Sequence, residues 1–398
     1  MLYGIKVGSF MRRLFANLWF NQKFRLILVQ LILLGLVVFA GYFIWQNLQD
    51  NLKQRGIAAG FDFWHETAGF GIIMHLIDYS QNSTYGRAFL VGLLNTLLVS
   101  GLGIFFATLI GFIVGVARLS SNWLIAKCAI CYIESIRNIP LLLQIFFWYF
   151  VVLRAAPLPR DSIILADAIF INKRGIYLPA PISNSMTLWF GLCALMCVLL
   201  GIIFFLKGKR YCLQQGVKCS WHIWAGTLFC FLTVVFTLIL TKTLSWSFPS
   251  LQGLNFQGGM TILPEFLGLL IALATYTAAF IAEIVRMGIL SVPKGQNEAA
   301  LALGFTKRQS LRLILIPQAL RVILPPLTNQ YLNLTKNSSL AAAIAYPDLV
   351  SVFAGTVLNQ TGQAVEIIAI TMGVYLFISL TISLLMLLYE KKTQWGKR

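Results

Sequence analysis

The chain of 398 residues is 58% hydrophobic and only 11% charged, with 31 basic against 13 acidic residues. Soluble globular chains carry roughly 25% charged residues, so this composition excludes an ordinary soluble domain and indicates a membrane protein. The formal net charge of +18 could suggest a nucleic-acid partner. However, Lys and Arg lie mostly in short segments beside long apolar runs, as the positive-inside rule distributes them, and we expect no nucleic acid to bind.

About eight apolar runs are long enough to cross a bilayer, which takes about 20 residues. In chain order they lie near 24–48, 88–116, 130–153, 185–206, 222–242, 263–287, 320–345 and 365–389. The first run follows a basic segment without a cleavage site, so it is interpreted as a retained anchor. The sequence therefore predicts an all-α integral membrane protein with about eight transmembrane helices.

The charges between the runs predict that both termini are cytoplasmic. Basic residues fall on the inner side near Arg118 and Lys127 and in the segments 207–218, 288–318 and 391–398. One outer connection, residues 154–184, opposes the rule because it carries four cations: Arg154, Arg160, Lys173 and Arg174.

Three stretches outside the apolar runs are rich in turn-forming residues: 81–86, 157–181 and 248–259. We expect them to form short surface helices or loops. No separate soluble domain is predicted.

The segment 297–340 has the pattern of a short helix, a break and a second helix. Glycine inside a helix costs about 1 kcal/mol relative to alanine, so Gly304 predicts a turn. Pro317 has no N–H, so a new segment should begin near it. The residues that carry the pattern are Glu298, Ala299, Ala300, Gly304, Ile314 and Pro317. The result should be a solvent-facing helical hairpin between two membrane spans.

This spacing resembles the EAA loop of bacterial ABC importer permeases, with E-A-A, three residues, G, nine residues, I, one residue and L-P. Ile316 replaces the leucine of that pattern, which is a mild departure. The flanking stretches RMGILSVPKGQ (286–296) and NLTKNSSL (333–340) resemble the polar amino acid branch of the family, and general L-amino acid importers in particular.

The resemblance implies a type I ABC importer permease core of five helices. The core would occupy residues 88–391, with an inserted helix pair near 185–242. Residues 1–87 would hold the cytoplasmic N-terminus, one additional anchor helix and an extracytoplasmic segment. Residues 288–318 would be the cytoplasmic coupling loop that docks on an ATPase.

The implied function is import of L-amino acids across the bacterial plasma (inner) membrane by alternating access. The implied partners are ABC ATPase subunits, an extracytoplasmic amino acid-binding protein and a second permease. That second permease should be a related but distinct chain, with a homodimer left open. ATP and Mg would be bound by the partner ATPase, and we expect no cofactor on this chain. The alternatives are a stand-alone secondary amino acid transporter or channel and a non-transporting scaffold.

A polar stripe in the seventh run predicts a translocation path. Asn329, Asn333, Lys336 and Asn337 are spaced to share one face of a helix, and Ser339 follows them. A lysine at the centre of a membrane helix costs roughly 2.5–3.5 kcal/mol on insertion scales, so it normally faces protein or water. Lys336 could attract a substrate carboxylate or pair with an acid. A snorkelling or purely structural lysine stays open.

Two acid–base pairs have the three-residue spacing that brings side chains together on a helix: Glu134 with Arg137, and Glu283 with Arg286. Structural pairing is the preferred interpretation over a place on the path. Four glycines in the second run, Gly101, Gly103, Gly111 and Gly115, predict close helix packing. Pro325 and Pro326 should open the seventh span or kink it.

Nothing in the sequence predicts an enzyme. The chain lacks a G-x-x-x-x-G-K-[ST] phosphate-binding loop, so a partner must supply ATP hydrolysis. His65, His75 and His222 are scattered, and the Cys128–Cys131 motif has no second cysteine pair at zinc spacing. We therefore predict no metal site.

Overall fold

The computed structural model describes most of the chain. The described residues are 22–54, 60–166, 168–182, 193, 196–198, 200–201, 203–204, 208, 227–235, 238, 245–253 and 255–393. Most of the two predicted spans at 185–206 and 222–242, and the basic segment that precedes residue 22, lie outside the described residues.

Helices make up the bulk of the described chain. They are α1 (Gln22–Gln54), α2 (Tyr85–Ala117), α3 (Trp123–Arg137), α4 (Leu141–Phe146), α5 (Pro264–Leu290), α6 (Lys294–Ala302), α7 (Lys307–Ser310), α8 (Ile316–Asn337), α9 (Leu358–Thr361) and α10 (Ala364–Thr393). Three π-helical segments continue or join them, at Phe147–Leu153, Leu311–Leu315 and Val350–Val357. Short 3-10 helices lie at Asp62–His65, Pro159–Asp161 and Ser338–Ile344.

Five helices of the described chain are long and apolar enough to span a membrane. They are Gln22–Ile44, Tyr85–Ala117, Pro264–Leu290, Lys307–Ile344 and Ala364–Lys392. The predicted single span at 130–153 is instead a pair of helices that meet at 104°. The first is α3, and the second is α4 with its π-helical continuation, Leu141–Leu153, which we call the α4 segment. Pro140 precedes α4 in an extended conformation and ends the first helix. Gln144 compensates the break, because its Nε2 donates to the carbonyls of Ile136 and Ile139, both at 2.9 Å.

Helix α5 is the centre of the bundle. In its apolar stretch 72% of the residues are buried, against 28% for α2. A Cβ added at Gly111 of α2 would lie 2.6 Å from Cβ of Ile281, and one at Gly115 would lie 2.7 Å from the carbonyl oxygen of Ala282. The predicted close approach of α2 is therefore confirmed at these glycines, and at Gly103, where Leu334 is 3.1 Å away. It is wrong at Gly101, which has no such neighbour within 4 Å.

Eight short strands lie in or directly beside the stretches 157–181 and 248–259, for which the sequence predicted only short helices or loops. They are β1 (Ile163–Leu165), β2 (Ile169–Asn172), β3 (Gly175–Leu178), β4 (Ala180–Ile182), β5 (Ser245–Ser247), β6 (Ser250–Gln252), β7 (Asn255–Gln257) and β8 (Met260–Ile262). Four of them form an antiparallel sheet in the order β1-β2-β3-β8, and β4 pairs with β5 and β6 with β7. The strands connect α4 to α5. We call this side of the bundle the strand end, and the opposite side, which carries residues 291–315, the loop end.

The turn after α8 is fixed to the middle of α2. Asn95 donates from Nδ2 to the carbonyls of Met74 at 2.8 Å and Pro347 at 2.9 Å, and Tyr346 donates to the carbonyl of Asn95 at 3.1 Å. The amide of Leu349 donates to Thr96 at 3.0 Å. Backbone that leaves a helix at membrane depth must find partners within the protein, and α2 supplies them here.

Candidate coupling loop and polar stripe

Helix α6 ends where the sequence predicts a turn. Gly304 has φ of +82°, in the left-handed region that glycine adopts without a steric penalty. The amide of Phe305 donates to the carbonyl of Ala300 at 3.1 Å, and that of Gly304 donates to Leu301 at 3.0 Å. These two bonds form a Schellman motif, which satisfies the last carbonyls of the helix.

The next helix begins two residues later with a capping box. Thr306 accepts from the amide of Gln309 at 3.3 Å, and its own amide donates to Oε1 of Gln309 at 2.9 Å. The T-x-x-Q sequence that produces this motif was visible in the sequence and was not used in the prediction. A Schellman motif and a capping box placed back to back give the turn a defined shape.

Two hydrogen bonds hold the helices of the loop together. Ser310, which is fully buried, donates from Oγ to Oδ1 of Asn297 at 2.8 Å. Gln318 donates to Oε1 of Gln296 at 3.1 Å. Ala300 is 1% exposed and faces into the hairpin, whereas Glu298 and Ala299 are exposed.

The outer surface of this hairpin is apolar at its tip and basic around it. Leu303, at the end of α6, is 77% exposed, and Leu313 is 59% exposed. Four cations of the same segment are exposed: Lys294, Lys307, Arg308 and Arg312. A leucine so exposed at a tightly built turn fits a surface that another protein covers.

The chain does not break at Pro317. Residues 307–337 are continuously helical, with the π-helical Leu311–Leu315 between α7 and α8. Pro317 is the second residue of α8 and directly follows the π-helical segment, in which Ile314 is half-buried. Pro325 and Pro326 lie inside α8 rather than at its start. The predicted start of a new segment near Pro317 is correct only in that the helix changes there from π-helical to α-helical.

The polar stripe of α8 lies on the surface of the chain. Asn329, Asn333 and Lys336 are exposed, and Asn337 and Ser339 are half-buried. The Oγ of Ser339 donates to the carbonyl of Lys336 at 2.7 Å. Exposed amide and ammonium groups in the middle of a spanning helix are costly against lipid, so this face requires water or another protein chain.

The two predicted acid–base pairs behave differently. Glu283 accepts from Nε and Nη2 of Arg286 at 3.0 and 2.6 Å, and it also accepts from Arg118 at the end of α2. Glu134 and Arg137 form no ion pair within the described residues. Instead, the guanidinium of Arg137 lies 5.0 Å from the centroid of the Phe280 ring.

Three features of the site were missed by sequence reasoning. These are the Ser310–Asn297 bond, the exposure of Leu303 and the third partner of Glu283, Arg118. The first joins residues 13 apart and the third joins residues 165 apart, and no local sequence pattern indicates either contact. The described residues contain no group of three or more His, Cys, Asp or Glu side chains that could hold a metal ion.

Comparisons with known proteins give a consistent result. The family described as "Binding-protein-dependent transport system inner membrane component" matches residues 220–394. The putative amino-acid ABC transporter permease protein YhdX of Escherichia coli is 52% identical over 373 residues, which are 94% of this chain and 95% of that protein. The general L-amino acid transport system permease protein AapQ of Rhizobium johnstonii is 45% identical over 382 residues, or 95% and 94% of the two chains. The glutamate/glutamine/aspartate/asparagine transport system permease protein BztB of Rhodobacter capsulatus is 38% identical over 412 residues, or 96% and 97%.

Proposed function

We propose that this chain, which belongs to the family of binding-protein-dependent ABC transporter permeases, moves amino acids into the cell as one membrane subunit of an ATP-driven importer. The similarity to amino-acid permeases extends over more than nine-tenths of the chain, so it is not limited to the loop. The named substrates of the Rhodobacter relative, glutamate, glutamine, aspartate and asparagine, supply the first transport probes.

The protein is a membrane-spanning subunit, and we assign its loop end to the cytoplasm of a bacterial cell and its strand end to the outside. The exposed cations of the hairpin, among them Lys294, Lys307 and Arg308, support this orientation. Lys391 and Lys392, in the last turn of α10, add to it. Both termini are then cytoplasmic.

The observation that carries the coupling role is the exposed apolar tip of the hairpin. Leu303 is held at 77% exposure by a turn that a Schellman motif and a capping box define, and the surrounding cations prevent this surface from entering the membrane. An ATPase subunit that receives Leu303 in a cleft would move α6 and α7 as one body, because Ser310 and Asn297 bond across the turn. Residues Glu298, Ala299, Ala300, Gly304, Ile314 and Pro317 form the proposed coupling loop.

The path is proposed to lie between this chain and a second permease. The stripe of Asn329, Asn333 and Lys336 is exposed in the single chain, so a facing subunit would enclose it. Lys336 would then attract the substrate carboxylate, and Asn337 and Ser339 would extend the polar surface. The second permease is proposed to be a related chain, and a binding protein delivers substrate to the strand end.

The test is amino acid-stimulated ATP hydrolysis in vesicles that contain this chain with the ATPase, the second permease and the binding protein encoded beside it. Leu303→Asp, Gly304→Asp and Glu298→Lys should each reduce stimulated hydrolysis at least tenfold while the complex stays assembled. Leu303→Met is the matched control, because it keeps an apolar side chain of similar volume, and it should retain stimulation.

Two outcomes contradict the proposal. Uptake that continues without any ATPase would favour a stand-alone secondary transporter. Stimulated hydrolysis that is indifferent to all three loop substitutions would show that the hairpin is not the coupling element.

A further inference from the structure

A polar cavity of about 830 Å³ opens at the strand end of the molecule. It lies where the end of the α4 segment, the turn between β2 and β3, and the start of α5 meet. We call it the strand-end pocket and define it by Met74, Arg154, Lys173, Arg174, Tyr177 and Glu265, which are among its lining residues. Its volume is in the range of pockets that hold small molecules, roughly 300–1,000 Å³.

The charges of this pocket explain an anomaly in the sequence. Four cations of the connection 154–184 oppose the positive-inside rule, and three of them, Arg154, Lys173 and Arg174, line the pocket. Membrane insertion gives no reason for cations at this end. Glu265 is the one acidic residue among the lining residues, so the pocket is electropositive with a single negative group.

The hydroxyl of Tyr149 bridges the carboxylate of Glu265 and the guanidinium of Arg154. Tyr149 donates to Oε1 of Glu265 at 2.7 Å and accepts from Nη2 of Arg154 at 2.7 Å. Glu265 and Arg154 form no ion pair with one another in the described part of the chain. The carboxylate of Glu265 and the guanidinium of Arg154 are therefore positioned separately and do not neutralise one another directly.

The other two cations are held on a tight turn of the sheet. Lys173 and Arg174 are the two residues between the paired Asn172 and Gly175, and the amide of Arg174 donates to Oδ1 of Asn172 at 2.9 Å. The amide of Lys173 donates to the carbonyl of Pro157 at 2.9 Å. The backbone that carries both charges is thus fixed from two sides.

Aromatic rings complete the pocket wall beneath these cations. The rings of Tyr177 and Phe256 lie 4.7 Å apart, and the hydroxyl of Tyr177 donates to Asn255 at 3.3 Å. Burial raises the pKa of Tyr177, while the positive charge of Arg174 lowers it. Tyr177 therefore remains a neutral donor at neutral pH.

We propose that the strand-end pocket binds a free amino acid as its zwitterion, before the amino acid reaches the path along α8. The α-carboxylate would lie against Lys173 and Arg174, and the α-ammonium group against Glu265. A carboxylate on a docked protein would offer the same anion, but a single acid beside three cations in one pocket fits a small molecule that carries both charges. This inference rests on the proposed import of amino acids and adds a second site to it.

The experiment uses the complete importer in lipid nanodiscs without binding protein and measures equilibrium binding of radiolabelled L-glutamine. We expect saturable binding that the double variant Lys173→Gln/Arg174→Gln weakens at least fivefold, with a similar loss for Glu265→Gln. Glutamine at position 265 still offers an oxygen to Tyr149, so this variant should fold. The decarboxylated analogue 4-aminobutanamide should not compete.

Arg160→Gln is the matched control. Arg160 belongs to the same connection and is exposed, but it does not line the pocket. Its removal changes the net charge of the strand end by one without touching the site, and binding should be unchanged. A loss comparable to that of the Lys173→Gln/Arg174→Gln variant, which also removes positive charge, would mean that general electrostatic attraction is being measured, and it would overturn the proposal.

Three further outcomes would contradict the proposed binding of a free amino acid in the strand-end pocket. The proposal fails if wild type shows no saturable binding of free glutamine, or if the double variant binds it normally. It also fails if the double variant loses only the docking of substrate-free binding protein, because the pocket would then receive a protein carboxylate. Vesicles that lack amino acid-stimulated hydrolysis in wild type would instead contradict the proposed function, so the two failures are distinguishable.

Discussion

The buried hydroxyl of Ser310 donates to the Oδ1 atom of Asn297 at 2.8 Å, across the turn that separates α6 from α7. This bond joins the two short helices of the coupling loop into one unit. If the loop transmits force from an ATPase, the bond should matter for coupling rather than for membrane insertion.

We predict that Asn297→Leu uncouples the importer. Ser310 would then be a buried donor without a partner, which costs about 1–3 kcal/mol. The loop should become more sensitive to limited proteolysis, and amino acid-stimulated hydrolysis should fall at least fivefold. Asn297→Asp keeps the acceptor oxygen and should behave almost as wild type. Equal loss in both variants would show that the amide, and not the bond to Ser310, is required.

The double variant Asn297→Leu/Ser310→Ala gives an independent check. It removes both partners, so the penalty of the unsatisfied hydroxyl disappears, and the combined loss should be smaller than the sum of the two single losses. Additive losses would mean that the two residues act separately.

Substitutions at Gly304 should follow backbone preference rather than size. The position has φ of +82° and open space around the missing Cβ. A left-handed conformation costs about 1–2 kcal/mol for most residues, but Asn adopts it more readily. We expect stimulated hydrolysis to decrease in the order Gly, Asn, Ala, Val. The midpoints of thermal unfolding of the purified complexes should follow the same order. An Ala variant with more stimulated hydrolysis than the Asn variant would contradict the explanation.

The glycines of α2 provide a matched pair for testing helix packing. At Gly111 a Cβ would lie 2.6 Å from the Ile281 side chain, whereas at Gly101 it would meet no atom within 4 Å. We expect Gly111→Ala to destabilise the protein by about 1–3 kcal/mol through overpacking. Gly101→Ala should be neutral. The measurement is thermal aggregation in detergent, and a similar loss in both variants would contradict the α2–α5 contact.

The exposed stripe of α8 should be reached by water from the path. In a background in which the 7 native cysteines are replaced, Asn329→Cys and Asn333→Cys should react with a membrane-impermeant maleimide in the assembled importer. Leu334→Cys tests the buried side of the same helix, since Leu334 is fully buried. Phe377→Cys tests a lipid-facing position, since Phe377 is 72% exposed on α10. Both controls should stay unlabelled.

Lys336 allows a sharper test of the same stripe. If its ammonium attracts the substrate carboxylate, Lys336→Met should raise the apparent KM for uptake at least threefold. Lys336→Arg keeps the charge and should raise it less. An unchanged KM in Lys336→Met would leave the lysine with a structural role only.

The helical hairpin around Gly304 could be predicted well because its determinants are local. Gly304, the residues E-A-A before it and the basic residues after it lie within one short stretch, so each signal acts on its neighbours in sequence. The turn falls where Gly304 predicts it. Pro317 misled the prediction of a break, because the helix continues past it, and only its type changes there, from the π-helical Leu311–Leu315 to α8.

The features that escaped prediction depend on residues far apart in sequence. Arg118 reaches Glu283 only because α2 and α5 pack along their length. The strands were missed because each is a short mixture of apolar and polar residues without a clear alternation. Their partners are also distant in sequence, as for β3 with β8. Pro140 was visible as a helix breaker, but its consequence, a 104° bend within an apolar run, depends on Gln144 capping the freed carbonyls.

The pairing of β4 with β5 has a consequence for how such a chain can change in length. Ile182 is opposite Ser245, so a two-strand stem holds the two ends of the sequence between them at neighbouring points. We call this stretch of sequence, residues 183–244, the module. A short hairpin turn linking Ile182 directly to Ser245 would close that stem without altering the register of any other strand. Evolution, or a protein engineer, could thus gain or lose the whole module in a single event and leave the transporter frame intact.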